Sequence, residues 1–246
     1  MIDSVVTHVV AVIFLATLIR SALGFGEALV AVPLLALRIP VQVAAPLTVL
    51  VSITVAAVVL LQDFRDVQVR SAGWLVLATI AGIPIGLLLL TGLDARLVKA
   101  LLALVLLVFA LYSLASRASF HLREDRIPWL LGCGLVAGVL GGAYGMNGPS
   151  LVVYGSLRRW PAERFRATLQ AYFLPASVLG MAGYFAAGLW VPLVTRYYLV
   201  SLPGTFVAIA IGRALNHRLH GARFLRWAYG GLVVTALALL VQSLAA

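Results

Sequence analysis

The sequence predicts an all-α polytopic integral membrane protein, and three observations carry that prediction. Hydrophobic residues make up 63% of the 246 and charged residues only 11%, whereas a soluble domain carries about 25% charged residues to keep its surface wettable. The apolar residues fall mostly into blocks of about 18–22, which as helices cross a hydrocarbon core of about 30 Å. The charges gather in short stretches between those blocks.

In chain order the blocks run over approximately Val5–Ile19, Val41–Leu61, Trp74–Leu93, Leu97–Leu114, Ala167–Ala187, Tyr197–Ile211 and Trp227–Leu244. They fill the chain, so one membrane domain without a soluble partner domain is expected. The opening Met1-Ile2-Asp3-Ser4 has neither a basic stretch nor a small-residue cleavage site, and no removable signal peptide is expected. A single cysteine, Cys133, excludes an internal disulfide and a cysteine-based metal cluster. No metal or other cofactor is expected. The formal net charge is +10, but the basic residues lie where topology signals and lipid-facing anchors lie, which argues against nucleic acid as a partner. His217 and His220 sit in the basic stretch Arg213–Arg226 and read as part of a surface loop rather than a metal site. Trp160-Pro161 and Gly188-Leu189-Trp190-Val191-Pro192 read as interfacial anchors.

Two segments interrupt the apolar pattern alike: Leu23-Gly24-Phe25-Gly26-Glu27-Ala28-Leu29 and Gly141-Gly142-Ala143-Tyr144-Gly145-Met146-Asn147-Gly148-Pro149. Aligning Gly24 with Gly145 also aligns Gly26-Glu27 with Asn147-Gly148 and Ile39-Pro40 with Trp160-Pro161, and further on Gly86 pairs with Gly212. We read a duplication, Val5–Ser116 and Pro128–Ala245. The chain then divides into membrane repeat 1 (residues 1–116), a cytoplasmic linker (117–127) and membrane repeat 2 (128–246). Each repeat is expected to be a re-entrant hairpin or broken helix at its glycine tip, followed by three transmembrane helices. An odd number of crossings per repeat forces the repeats into opposite orientations. In that arrangement the cytoplasmic side receives Arg65, Arg70, Arg117, Arg123, Arg126, Arg158, Arg159, Arg164, Arg166, Arg213, Arg218, Arg223 and Arg226, leaving Arg38, Arg96, Lys99 and Arg196 outside. The positive-inside rule favours this over parallel halves. It places both termini outside; the alternative is that Val5–Arg20 crosses fully and the short segment after it is an ordinary span.

Non-helical backbone at membrane depth survives only where protein or a polar cavity surrounds it. Paired glycine interruptions in two halves therefore point to a binding site. Glycine lets backbone turn sharply and approach a ligand. Helices restarting near Glu27 and near Pro149 would aim their N-terminal N–H groups, and roughly half a positive charge each, at a small anion near the midplane. Gly24, Gly26, Gly145, Gly148 and Pro149 are accordingly candidate binding residues. Gly82/Gly86, Gly134/Gly138 and Gly138/Gly142 read instead as helix-packing pairs.

Glu27 is the acid placed deep in an apolar stretch and Arg20 the base, one on each side of the first tip. A charge at the bilayer centre costs about 2.5–3.5 kcal/mol on insertion scales, so such residues usually face a cavity. Two readings stay open: an ion pair that braces the tip, or Arg20 attracting the anion while Glu27 takes or releases a proton. Asn147 and Tyr144 offer hydrogen bonds to ligand oxygens. Thr168 and Gln170 either face the same cavity or bond to a neighbouring helix.

The run Gly24-Phe25-Gly26-Glu27-Ala28-Leu29-Val30-Ala31-Val32-Pro33-Leu34-Leu35 resembles the first signature of the TauE/SafE sulfite exporter family of permeases. The stretch through Gly145, Asn147, Gly148 and Pro149 to Leu151 resembles its second. The resemblance covers essentially the whole chain. It implies a permease of the bacterial inner membrane for sulfur-containing anions such as sulfite, a sulfonate or sulfoacetate. Glu27 and Asn147 depart from plainer glycine runs in the family. The expected function is a secondary transporter working by alternating access. Its expected partners are the anion, a proton or other coupling ion, membrane lipid and, in a homo-oligomer, further copies of the chain. A passive anion channel is the nearest alternative. No G-x-x-x-x-G-K-[ST] loop is present, so direct ATP hydrolysis is not expected. An integral-membrane enzyme acting on lipid or phosphate esters is less well supported, since the loops supply few carboxylates and no H-E-x-x-H or G-x-S-x-G pattern occurs.

Overall fold

In the computed structural model, which describes residues 4–60, 69–115, 127–158, 162–216 and 222–245, every regular element is an α-helix. The helices are α1 (Ser4–Leu23), α2 (Glu27–Ala36), α3 (Val41–Leu60), α4 (Val69–Gly92), α5 (Ala95–Ala115), α6 (Ile127–Tyr144), α7 (Gly148–Arg158), α8 (Ala162–Ala186), α9 (Pro192–Asn216) and α10 (Ala222–Ala245). Six of them, α1, α3, α4, α5, α6 and α9, are long and apolar enough to cross a membrane, and α8 and α10 reach 25 and 24 residues. The chain is a multi-pass integral membrane protein. Large apolar side chains face outward, as lipid contact requires: Leu88 is 71% exposed, Phe185 68% and Val234 68%.

The two glycine interruptions separate a long helix from a short one. With 10 and 11 residues, α2 and α7 extend only about 15 Å at 1.5 Å per residue. Each tip is a broken helix whose first arm, α1 or α6, is itself of spanning length. Helices also run past the apolar blocks: α1 continues through Arg20, α8 starts at Ala162 and α9 at Pro192. Once nucleated, a helix gains one hydrogen bond per added residue, so flanking polar turns join it. The anchor segment after α8 turns at Gly188 (φ 71°), and the Trp190 indole N–H donates to Thr195 Oγ1 at 2.9 Å. Trp160-Pro161, His217, His220 and linker residues 117–126 lie outside the described residues, whereas Ile127 opens α6.

Close helix contact follows from the glycine pairs. A Cβ on Gly82 would lie 2.3 Å from the Leu135 carbonyl oxygen, and one on Gly86 2.1 Å from that of Val139. From the other side, a Cβ on Gly138 would lie 2.4 Å from the Thr79 oxygen and one on Gly142 2.3 Å from that of Ile83. Hence α4 and α6 touch backbone to backbone, which dispersion and small-residue packing favour in lipid. The long helices pair in a pattern that survives exchange of the halves: α4 lies on α6 as α9 lies on α1, α4 on α8 as α9 on α3, while α3 meets α8 and α5 meets α10. Gly212 of α9 sits on Leu18–Ala22 of α1, where a Cβ would meet Ser21 Cβ at 2.6 Å. Gly86, its counterpart in the alignment, does the same on α6.

Candidate functional site

Both tips close with the same bond. The Gly24 N–H donates to the Arg20 carbonyl at 2.6 Å, and the Gly145 N–H to the Gly141 carbonyl at 2.8 Å. The closing glycines have φ of 86° and 66°, a left-handed conformation that side chains resist. In the first tip a second left-handed glycine, Gly26 (φ 97°), precedes α2. In the second, a bond from Met146 N–H to the Leu140 carbonyl at 3.2 Å completes the turn before α7.

The tips converge on one cavity. Its lining includes Arg20, Gly26, Glu27 and Leu29 from the first tip, and Gly145, Met146, Asn147, Gly148 and Pro149 from the second. Ser52, in the middle of α3, and Phe173 and Ser177, in the middle of α8, close its sides. The first turns of α2 and α7 thus face a shared space beside the midpoints of two long helices. Its volume is about 20 Å³ as measured by the centre of a water-sized sphere, room for about one water molecule.

Arg20 organises the chemistry. It is 2% exposed and Glu27 3%, and the two form an ion pair through Nη1. The same Nη1 donates to the Ser52 hydroxyl, and Nη2 donates to Gln170 Oε1 at 3.2 Å. The guanidinium lies over the Phe173 ring, 5.0 Å from its centroid, a cation–π contact that gains strength where water is excluded. Arg20 Nε is buried and without a partner. Thr17 Oγ1 donates to the other Glu27 oxygen at 3.3 Å. One positive and one negative charge therefore share a desolvated site, which is tolerable because each is paired and hydrogen-bonded.

Gln170 acts from the second half upon the first. Its carbonyl oxygen accepts from Arg20, and its Nε2 donates to the Gly24 carbonyl at 2.9 Å. It supports the tip from behind the cavity, as does Gly24; neither is among the lining residues. Tyr144 is buried with its hydroxyl donating to the Val98 carbonyl of α5 at 3.1 Å, and it does not line the cavity. Thr168 is buried too, two residues before Gln170, outside the lining. Of the sequence candidates, Arg20, Gly26, Glu27, Gly145, Asn147, Gly148 and Pro149 come together at the cavity. Ser52, Phe173 and Ser177 were not among them, since one hydroxyl or ring within an apolar run carries no signal until α3 and α8 meet.

Asn147 occupies a slot made for it. Its Oδ1 is buried, and a Cβ on Gly141 would lie 2.0 Å from that oxygen. Among the described residues no group of three or more His, Cys, Asp or Glu side chains could hold a metal ion. The cavity's donors are instead a guanidinium, hydroxyls, an amide and two helix N-termini, a set suited to oxygen atoms of an anion.

The family model described as Sulfite exporter TauE/SafE matches residues 9–240. The chain is also similar to a probable membrane transporter protein of Methanocaldococcus jannaschii, 23% identical over 161 residues, covering 62% of this chain and 58% of that protein. The match thus spans little more than half the length of that relative. No solved structure matches the chain.

Proposed function

The chain belongs to the sulfite exporter TauE/SafE family, and from that premise we propose that it is a secondary transporter for a small sulfur-containing anion, sulfite, a sulfonate or sulfoacetate, in a bacterial inner membrane. The single observation that carries this reading is the convergence of both glycine tips and both short-helix N-termini on one cavity holding a buried arginine. Arg20 and the first turns of α2 and α7 attract the anion, and Ser52, Ser177 and Asn147 hydrogen-bond its oxygens. Glu27 is the proton-carrying group. The helix pairing that survives exchange of the halves supports two repeats, which we take to be inverted. One rocks against the other and exposes the site to each side in turn. For export of an anion, the inside-negative potential alone supplies about 2.3 kcal/mol per charge per 100 mV.

The test is uptake of labelled sulfite and of a simple sulfonate by proteoliposomes holding the purified protein, with and without an imposed pH gradient. Saturable flux that responds to the gradient is expected. Saturable flux indifferent to it removes the proton from this reading, non-saturating flux indicates a channel, and no flux of either anion overturns the substrate class.

A further inference from the structure

We infer that the Glu27 carboxylate is a built-in competitor for Arg20: a substrate anion takes its place on the guanidinium only when Glu27 is protonated, so one proton is bound with each anion. This rests on the function proposed above and adds its coupling rule. Three observations lead to it.

The first is occupancy. Arg20 Nη1 is committed to Glu27 and Ser52 and Nη2 to Gln170, while the ring of Phe173 covers one face. Nε is the nitrogen without a partner. An oxyanion held by a guanidinium takes two N–H groups in a fork, and of the five N–H groups both on Nη1 are taken, so a fork that draws on Nη1 needs the carboxylate or Ser52 to leave. Ser52 lines the cavity and is neutral, so it can turn to the anion's own oxygens, whereas the carboxylate repels it. The second observation is room. About 20 Å³ beside the pair is open to the centre of a water-sized sphere, and withdrawal of the carboxylate enlarges that space for an anion with three oxygens. The third is charge. Arg20 and Glu27 sum to zero in a desolvated site. A monoanion added to them leaves an uncompensated buried charge, and a proton on Glu27 removes it.

Glu27 has somewhere to go. It is the first residue of α2, behind the left-handed Gly24 and Gly26, and Thr17 already holds its second oxygen. The proton comes from the aqueous side that the site faces, and the protonated carboxyl swings onto Thr17. Among the described residues, Arg20 is the one charged side chain that faces Glu27. Of the helices packed on α2, α1 brings Arg20 and Thr17, α3 brings Ser52, and the start of α7 brings uncharged Asn147 and Ser150. His8 of α1 bonds to the Leu34 carbonyl, toward the other end of α2. Lys99 of α5 bonds to Gln242 of α10, whose amide donates to the Leu37 carbonyl just past that end.

The experiment is calorimetric titration of the full-length protein in detergent with a simple alkanesulfonate and with sulfite, in buffers of different ionisation enthalpy, for wild type and Glu27→Gln. The sulfonate carries one charge throughout, so its pH dependence belongs to the protein. For wild type the inference requires uptake of one proton per sulfonate bound, with affinity falling about tenfold per pH unit where Glu27 is ionised. Glu27→Gln should bind without proton uptake, at an affinity that does not change with pH and exceeds that of wild type at high pH. The wild-type proton count stands by itself if the variant does not fold. Binding by wild type without proton uptake, or an equal pH slope in both proteins, overturns the inference and leaves the transporter reading in place. Failure of both proteins to bind either anion at any pH overturns the sulfur-anion reading and the inference with it.

Discussion

The two tips share a backbone and differ in chemistry. Both end a long helix at a left-handed glycine bonded back four residues, and both start a short helix at the same cavity. In the alignment of Gly24 with Gly145, Arg20 falls on Gly141 and Gly26 on Asn147. The first tip sends a long cation from the helix and leaves the turn bare. The second leaves the helix bare and sends an amide from the turn into the gap at Gly141. Two cations facing each other across about 20 Å³ would repel, and two bare tips would hold nothing. Two tips of like backbone can thus carry a site that is symmetric in backbone and asymmetric in charge.

The largest effect should come from removing that asymmetry. Arg20→Ala leaves Glu27 buried and unpaired, which costs about 3–5 kcal/mol, and uptake should drop to background. Thermal unfolding in detergent and proteoliposome uptake measure the two losses. Retained uptake would mean that the second tip binds the anion alone.

Next comes the slot. Gly141→Ala puts a methyl group onto Asn147 and should cost about 1–3 kcal/mol by overpacking. Because the clash is with one side chain, the same substitution in an Asn147→Ala background should cost much less, and a double-mutant cycle measures the difference. Additive losses would place the strain elsewhere. Gly26→Ala should cost a similar amount, about 1–3 kcal/mol, for another reason. Its φ is 97° while the nearest neighbour, Ile19 Cγ2, is 3.8 Å from the new Cβ, so truncating Ile19 should rescue nothing. The smallest effect is Asn147→Ala alone. It removes neutral hydrogen bonding and should weaken anion affinity within about tenfold, read by titration.

Much of the frame was legible in the sequence because lipid imposes long apolar runs and glycine marks where helices touch or break. Gly82, Gly86, Gly134, Gly138 and Gly142 packed as their spacing implies, and Gly24 and Gly145 turned the chain. Tip chemistry was legible where a charge or amide stood out against apolar neighbours, as Arg20, Glu27 and Asn147 do. Of the two readings of the charged pair, the structure contains the ion pair, and both of its members line the cavity. The walls were not legible. Ser52, Phe173 and Ser177 gain meaning only through the meeting of α3 with α8, and nothing local separates Gln170, which supports Arg20, from Thr168; neither lines the cavity. Tyr144 stands next to the turn, yet the helix twist carries its ring toward α5.

The most direct test of a single anion site shared by both tips is an experimental structure determined with sulfite bound. The anion should lie within hydrogen-bonding distance of Arg20 and against the first turns of both α2 and α7, with Glu27 turned from Nη1 toward Thr17. An anion resting on one tip alone, or outside this cavity, would contradict the account.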